Sequence, residues 1–137
     1  MRYLTYILVV CLAVSCTTTK NTKMKTAMLD GTWVPVKQEI GGTLLPAASF
    51  GKQKLVIRDT TYVLIAESID KGAVRVKGDK MDIYGREGVN AGKHFTALFK
   101  IEKEQLTICY NLSGDAYPAT FGTQNNKKYF LAVFRKE

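Results

Sequence analysis

The sequence predicts an all-β domain closed into a small eight-stranded antiparallel up-and-down barrel, and three observations carry that expectation. Eight short runs rich in β-branched and aromatic residues follow one another after residue 31 at roughly even spacing. Turn formers separate them, with Asp59-Thr60, Gly78-Asp79 and Lys103-Glu104 standing where two-residue hairpin turns belong. No segment repeats apolar residues at i, i+3, i+4 and i+7 over ten residues, so almost no helix is expected. Closure into a barrel removes exposed sheet edges; an open sandwich is the alternative.

Taken in order, the strands are expected over 32–40, 54–58, 61–67, 73–77, 80–84, 94–101, 106–111 and 129–135. Pro35 is tolerable in the first only at an edge or a bulge, because it cannot donate to a ladder. Gly41-Gly42 ends that strand, and residues 44–50 suit a short helical turn capping one end of the barrel. In the sixth strand Phe95, Ala97, Phe99 and Ile101 share the face assigned to the interior, with Leu98 the exception among His94, Thr96 and Lys100 opposite. In the seventh, Leu106, Ile108 and Tyr110 lie opposite Thr107 and Cys109. The last strand is apolar on both faces, which calls for cover from the N-terminal segment or the capping turn.

Ahead of the domain, Arg2 and the apolar run from Tyr6 to Val14 have the makings of a removable export signal over 1–15. The run is too short to cross a hydrocarbon layer that needs roughly 20 helical residues. Ala13-Val14-Ser15-Cys16 resembles the bacterial lipoprotein box, which implies cleavage before Cys16 and a lipid on its thiol; an ordinary secretory signal cut near Ser15 is the alternative. Residues 16–28 then read as a lipidated cysteine and a flexible spacer, and 29–137 as the folded domain. No acidic residue follows Cys16 in the spacer, which favours the periplasmic face of the outer membrane in a Gram-negative envelope.

Lys and Arg number 20 against 12 Asp and Glu, a net charge of +8. Loss of Arg2 leaves +7, and three of the remaining positives (Lys20, Lys23, Lys25) sit in the spacer, so the folded part carries only +4. That makes nucleic acid a poor partner. A basic spacer beside a lipid suits anionic head groups, at about 1 kcal/mol per basic residue near the surface. Cys109 is the one cysteine inside the domain, so no internal disulfide forms and the fold rests on its core. A domain of this length buries close to two-thirds of its unfolded surface, which suffices.

Gly31-Thr32-Trp33, Gly42-Thr43-Leu44-Leu45-Pro46, Asp82-Ile83, Gly92-Lys93, Leu106-Thr107-Ile108-Cys109-Tyr110-Asn111, Tyr117-Pro118-Ala119-Thr120-Phe121 and Leu131-Ala132-Val133-Phe134-Arg135 together resemble an uncharacterised bacterial lipocalin-like domain family, across 29–137. The resemblance implies a calycin-like small barrel. Wider lipocalins place a late arginine on the indole of the first strand, and by that likeness Trp33 and Arg135 would staple the two chain ends by a cation over a π face. Eight strands in so short a domain leave an interior that its own side chains can fill, or that is only just wide enough for one small ligand, so the resemblance supports the fold better than a cargo.

Catalytic patterns are missing. His94 is the single histidine, and there is no Cys-x-x-Cys, His-Glu-x-x-His or Gly-x-Ser-x-Gly. The carboxylate pairs Asp79/Asp82 and Glu102/Glu104 sit among lysines beside turns, and Cys109 has no base near it in sequence. Residues 111–117 faintly resemble the serine-glycine-x-x-tyrosine loop of periplasmic lysozyme inhibitors. No enzyme, no metal and no cofactor are expected. The expected activity is binding of a small apolar or amphipathic molecule at an aromatic-lined barrel mouth built from Tyr62, Phe95, Phe99 and Tyr110. The alternative is a filled barrel that binds an envelope protein through Tyr117, Phe121 or the 85–93 loop.

Overall fold

A computed structural model describes residues 17–137 of the chain; the export signal expected over 1–15 and Cys16, the expected site of lipidation, lie outside the described residues. The elements run α1 (Thr17–Leu29), β1 (Gly31–Ile40), β2 (Thr43–Leu44), a 3-10 turn (Ala47–Ser49), β3 (Lys54–Arg58), β4 (Thr61–Ile65), β5 (Ile69–Lys77), β6 (Lys80–Glu87), β7 (His94–Glu102), β8 (Gln105–Asn111) and β9 (Tyr129–Lys136). All strand pairs are antiparallel. β1 pairs with β3 on one side and β9 on the other, so eight strands close into a barrel and the short β2 is an extra rib on β1.

Closure has a register that the sequence explains. Pro35 lies at a bulge: the β1–β9 pairing skips from Pro35 opposite Phe134 to Lys37 opposite Val133. The extra residue, Val36, points to solvent, and the strand keeps Trp33 and Gln38 on the inside despite the odd spacing between them. The three two-residue turns form where expected, with the first residue of each (Asp59, Gly78, Lys103) at positive φ. They gather at one end of the barrel. All the longer connections gather at the other.

Strand β5 starts four residues before the expected 73, and β6 runs on to Glu87. Asp70 and Gly72 look like breakers, yet Gly72 belongs in the ladder. A Cβ there would stand 2.6 Å from Tyr62 Cε1 and overlap the Tyr84 carbonyl, so only glycine lets the Tyr62 ring lie flat on the sheet.

The interior is one apolar cluster, with Trp33, Leu106, Ile108, Met81 and Phe134 at its heart. A second buried group, Leu98, Cys109 and Leu131, lies on the outer face. Its cover is neither of the segments expected from the sequence but the long connection over 112–128. That connection is pinned across the outer wall at both ends. Thr96 Oγ1 donates to Ala116 O at 2.6 Å, Lys100 Nζ lies 5.2 Å from the Phe121 ring centre, and Thr123, fully buried, bonds Glu39 and accepts the Gly42 N–H at 2.9 Å. This accounts for the two-sided apolar character of β9.

The spacer differs from expectation. Residues 17–29 form helix α1 although threonine is a poor helix former and no apolar stripe exists. Its C-terminal end is tied to the barrel: Leu29 is fully buried, its carbonyl accepts the Trp33 Nε1–H at 2.8 Å, and Lys25 Nζ donates to Gly78 O at 3.0 Å. Tertiary contacts, not propensity, set this element. No described helix is long and apolar enough to cross a membrane.

Burial fixes the chemistry of Cys109. It is fully buried, and desolvation, helped by Glu39, pushes its thiol up to about 11. Near pH 8 that leaves roughly a hundredfold less thiolate than an ordinary cysteine has. Iodoacetamide should therefore leave Cys109 unlabelled in the native protein and label it in urea, as read by peptide mass spectrometry.

Candidate functional site

A cavity of about 490 Å³ opens at the end of the barrel opposite the tight turns. That size sits inside the roughly 300–1,000 Å³ range of small-molecule pockets. Its floor is the buried layer of Leu29, Trp33, Phe99 and Leu106. Above the floor the walls are apolar: Leu55, Ile57, Val74, Met81, Ile108 and Phe134. Towards the mouth they turn polar, with Gln38, Gln53, Tyr62, Tyr110, Asn90 and Lys93.

Strand alternation places these residues. Tyr110 stands opposite Phe130 across the β8–β9 ladder, and the two rings stack at 5.7 Å. Tyr62 stands opposite Gly72. Neither phenol hydroxyl has a hydrogen-bond partner among the described residues, and neither is sealed from the cavity. Burial raises the pKa of both: for Tyr62 the nearby Asp70 adds to desolvation, and for Tyr110 the second contributor is Tyr62 itself. Both therefore stay protonated and act as donors. Gln38, only 5% exposed, gives one amide N–H to Gln53 Oε1 at 2.9 Å.

The 85–93 segment folds back over the mouth. Buried Asp70 accepts the Asn90 N–H at 3.0 Å, and Gly85 exchanges backbone bonds with Gly92 and Lys93. A Cβ at Gly85 would overlap the Asn90 backbone, so this fold requires glycine. Gly85→Ala should displace the segment and speed amide exchange over 86–93, read by hydrogen–deuterium exchange.

Of the four residues that sequence reasoning assigned to ligand binding, Tyr62, Phe95 and Tyr110 line the cavity. Phe99 does not; it is buried in the core beneath it. The pairing of Trp33 with Arg135 is corrected by one residue. Trp33 stands opposite Lys136 in the ladder, and Lys136 Nζ lies 5.3 Å from the indole centre. Arg135 stands opposite Val34, on the other face, and is exposed. The parity of Phe130, Ala132 and Phe134 already pointed to Lys136. Sequence reasoning missed Gln38, Asn90 and Lys93, whose positions depend on the β1 bulge and on the folded-back segment.

Outside the barrel, His94 and Tyr117 form a tie rather than an open site. His94 Nε2 lies 2.7 Å from Asp82 Oδ1, and the Tyr117 hydroxyl donates to Asp82 Oδ2 at 2.6 Å. The His94 ring stacks on Tyr84 at 4.6 Å, and Lys80 lies 5.2 Å over Tyr117. The bond to Asp82 is the main reason the Tyr117 phenol is pushed up to about 12. Folded-state phenol pKa values above the ordinary 10.0 mean that the folded chain keeps protons the unfolded chain releases. Their stabilisation is complete below about pH 10 and is lost as pH climbs past it. Urea unfolding midpoints should accordingly fall between about pH 9 and about pH 11. No group of three or more metal-ligating side chains occurs among the described residues.

No protein-family model and no curated protein matches the chain. One solved structure is similar: an uncharacterized protein from Bacteroides eggerthii DSM 20697, at 11% identity with a TM-score of 0.52, covering 80% of this chain and 99% of that one. The likeness is one of fold: the chain is a small antiparallel β-barrel with a bacterial structural neighbour.

Proposed function

We propose that this chain is a lipid-anchored, lipocalin-like envelope protein of the periplasmic side of the outer membrane, non-enzymatic, whose barrel holds one small apolar or amphipathic molecule. The single observation that carries the reading is the cavity of about 490 Å³, apolar below and hydroxyl-bearing above. The motif Ala13-Val14-Ser15-Cys16 supports the anchor. The test is titration of the full chain with the fluorescent apolar probe N-phenyl-1-naphthylamine. Saturable one-site binding, lost in Leu64→Trp where the half-buried wall residue is enlarged into the cavity, is the expected result. Binding that is absent, or equal in both proteins, rules the reading out.

The exposed apolar side chains of Leu44 on β2, at 62%, and Val89 on the 85–93 segment, at 66%, favour a second reading in which this rim binds another envelope protein. A specific partner captured from envelope extract by the wild type and lost with Val89→Asp would favour it.

A further inference from the structure

We infer that the cavity selects a single-chain amphiphile with a monoanionic head, seated tail down with its head at the mouth between the Lys93 ammonium and the hydroxyls of Tyr62 and Tyr110. The inference rests on the reading of the cavity as a binding site and adds the chemical class of its occupant.

Polarity is graded along the barrel axis. No ionised group lines the lower walls, and the cavity lining holds no carboxylate at any level. A charge lowered into that part would lose its hydration with no partner to replace it, so the lower half accepts only an uncharged, apolar segment. At the neck, O–H and N–H donors are available. The two phenol hydroxyls have no partner among the described residues, and Gln38 keeps an amide N–H beyond the one given to Gln53. A head rich in acceptor oxygens satisfies them; a head that only donates does not.

The sign of the head follows from Lys93. It lines the mouth, is exposed, and enters no ion pair among the described residues, whereas Lys37, Lys54, Lys71 and Lys100 each have a carboxylate. The backbone of Lys93 is fixed by its carbonyl's bond from Gly85 N at 2.9 Å, so its side chain starts from a set place on the rim. Asp70, which holds the folded-back segment, is only 3% exposed and one of its oxygens is taken by Asn90. Its charge reaches Tyr62, but it is buried and already bonded, so it offers a cationic head less than exposed Lys93 offers an anionic one. Cavity, unpaired donors and unpaired cation thus ask for one ligand shape: hydrocarbon, then acceptor oxygens, then negative charge.

The test is calorimetric titration of the full chain with three probes of equal tail, dodecanoate, dodecanol and dodecyltrimethylammonium, each kept below its aggregation concentration. Dodecanoate should bind at least about fivefold more tightly than dodecanol, and the ammonium most weakly. Lys93→Ala should bring dodecanoate down to the level of dodecanol by weakening it far more than dodecanol, and Lys93→Arg should restore the difference. Lys93 is exposed, so neither variant threatens the fold. Equal affinity for dodecanoate and dodecanol, or equal weakening of both by Lys93→Ala, overturns the choice of an anionic head while leaving the cavity reading intact. If no probe binds, or Leu64→Trp binds them as the wild type does, the cavity reading falls and this inference with it.

Discussion

Trp33→Ala is expected to destabilise the protein by about 3–5 kcal/mol, as a large-to-small change in a packed core does. The indole is 1% exposed at the floor of the barrel and is the largest side chain in the core. Three elements converge on it. Its Nε1–H holds the Leu29 carbonyl, and with it the end of α1. Its strand position pairs with Leu55 on one side and Lys136 on the other, which is where the barrel closes. Truncation leaves a void and frees one end of α1, so urea unfolding should show the large loss together with faster amide exchange across the end of α1. Lys136→Ala removes only the exposed cation from the indole and should cost no more than about 1 kcal/mol. The contrast between the two variants separates packing from cation–π attraction.

Gly72→Ala is the second large effect, expected at the upper end of the roughly 1–3 kcal/mol that overpacking costs. The added methyl meets the Tyr62 ring on one side and the Tyr84 carbonyl on the other. The backbone cannot retreat, since Gly72 is buried and paired to both β4 and β6. Tyr62 must therefore leave its place on the wall, and probe binding should fall along with stability. Gly78→Ala is the matched control. A Cβ there meets nothing within 4 Å, and only its positive φ penalises the change, so about 1 kcal/mol and unchanged probe binding are expected.

The eight strands were legible because each is a short β-rich run bounded by turn formers, and the pairs joined by two-residue turns need no long-range information to be found. The interior face was legible for Phe95, Tyr62 and Tyr110 by simple alternation. Phe99 followed the same alternation yet lies too deep, since parity gives the face of a strand and not the height along the barrel. The Lys136 contact could have been read from parity, but likeness to lipocalins pointed one residue away. Helix α1 could not be read at all: its threonines and the lack of an apolar stripe argue against helix, and what holds it is Leu29 beneath the barrel and one bond to Gly78 O. Nor could the polar neck, because Asn90 and Lys93 reach the mouth only after Gly85 permits the chain to fold back and Asp70 holds it there. The cover over β9 came from 112–128 for a similar reason. Its anchors, Thr123 on Glu39 and Tyr117 on Asp82, join residues 84 and 35 positions apart.

The most direct measurement is mass spectrometry of small molecules released from the full chain purified from its own envelope, set beside the Leu64→Trp variant prepared in the same way. An amphiphile released in near-stoichiometric amount by the wild type and missing from the variant is the predicted result. The same extract from both proteins would contradict the account.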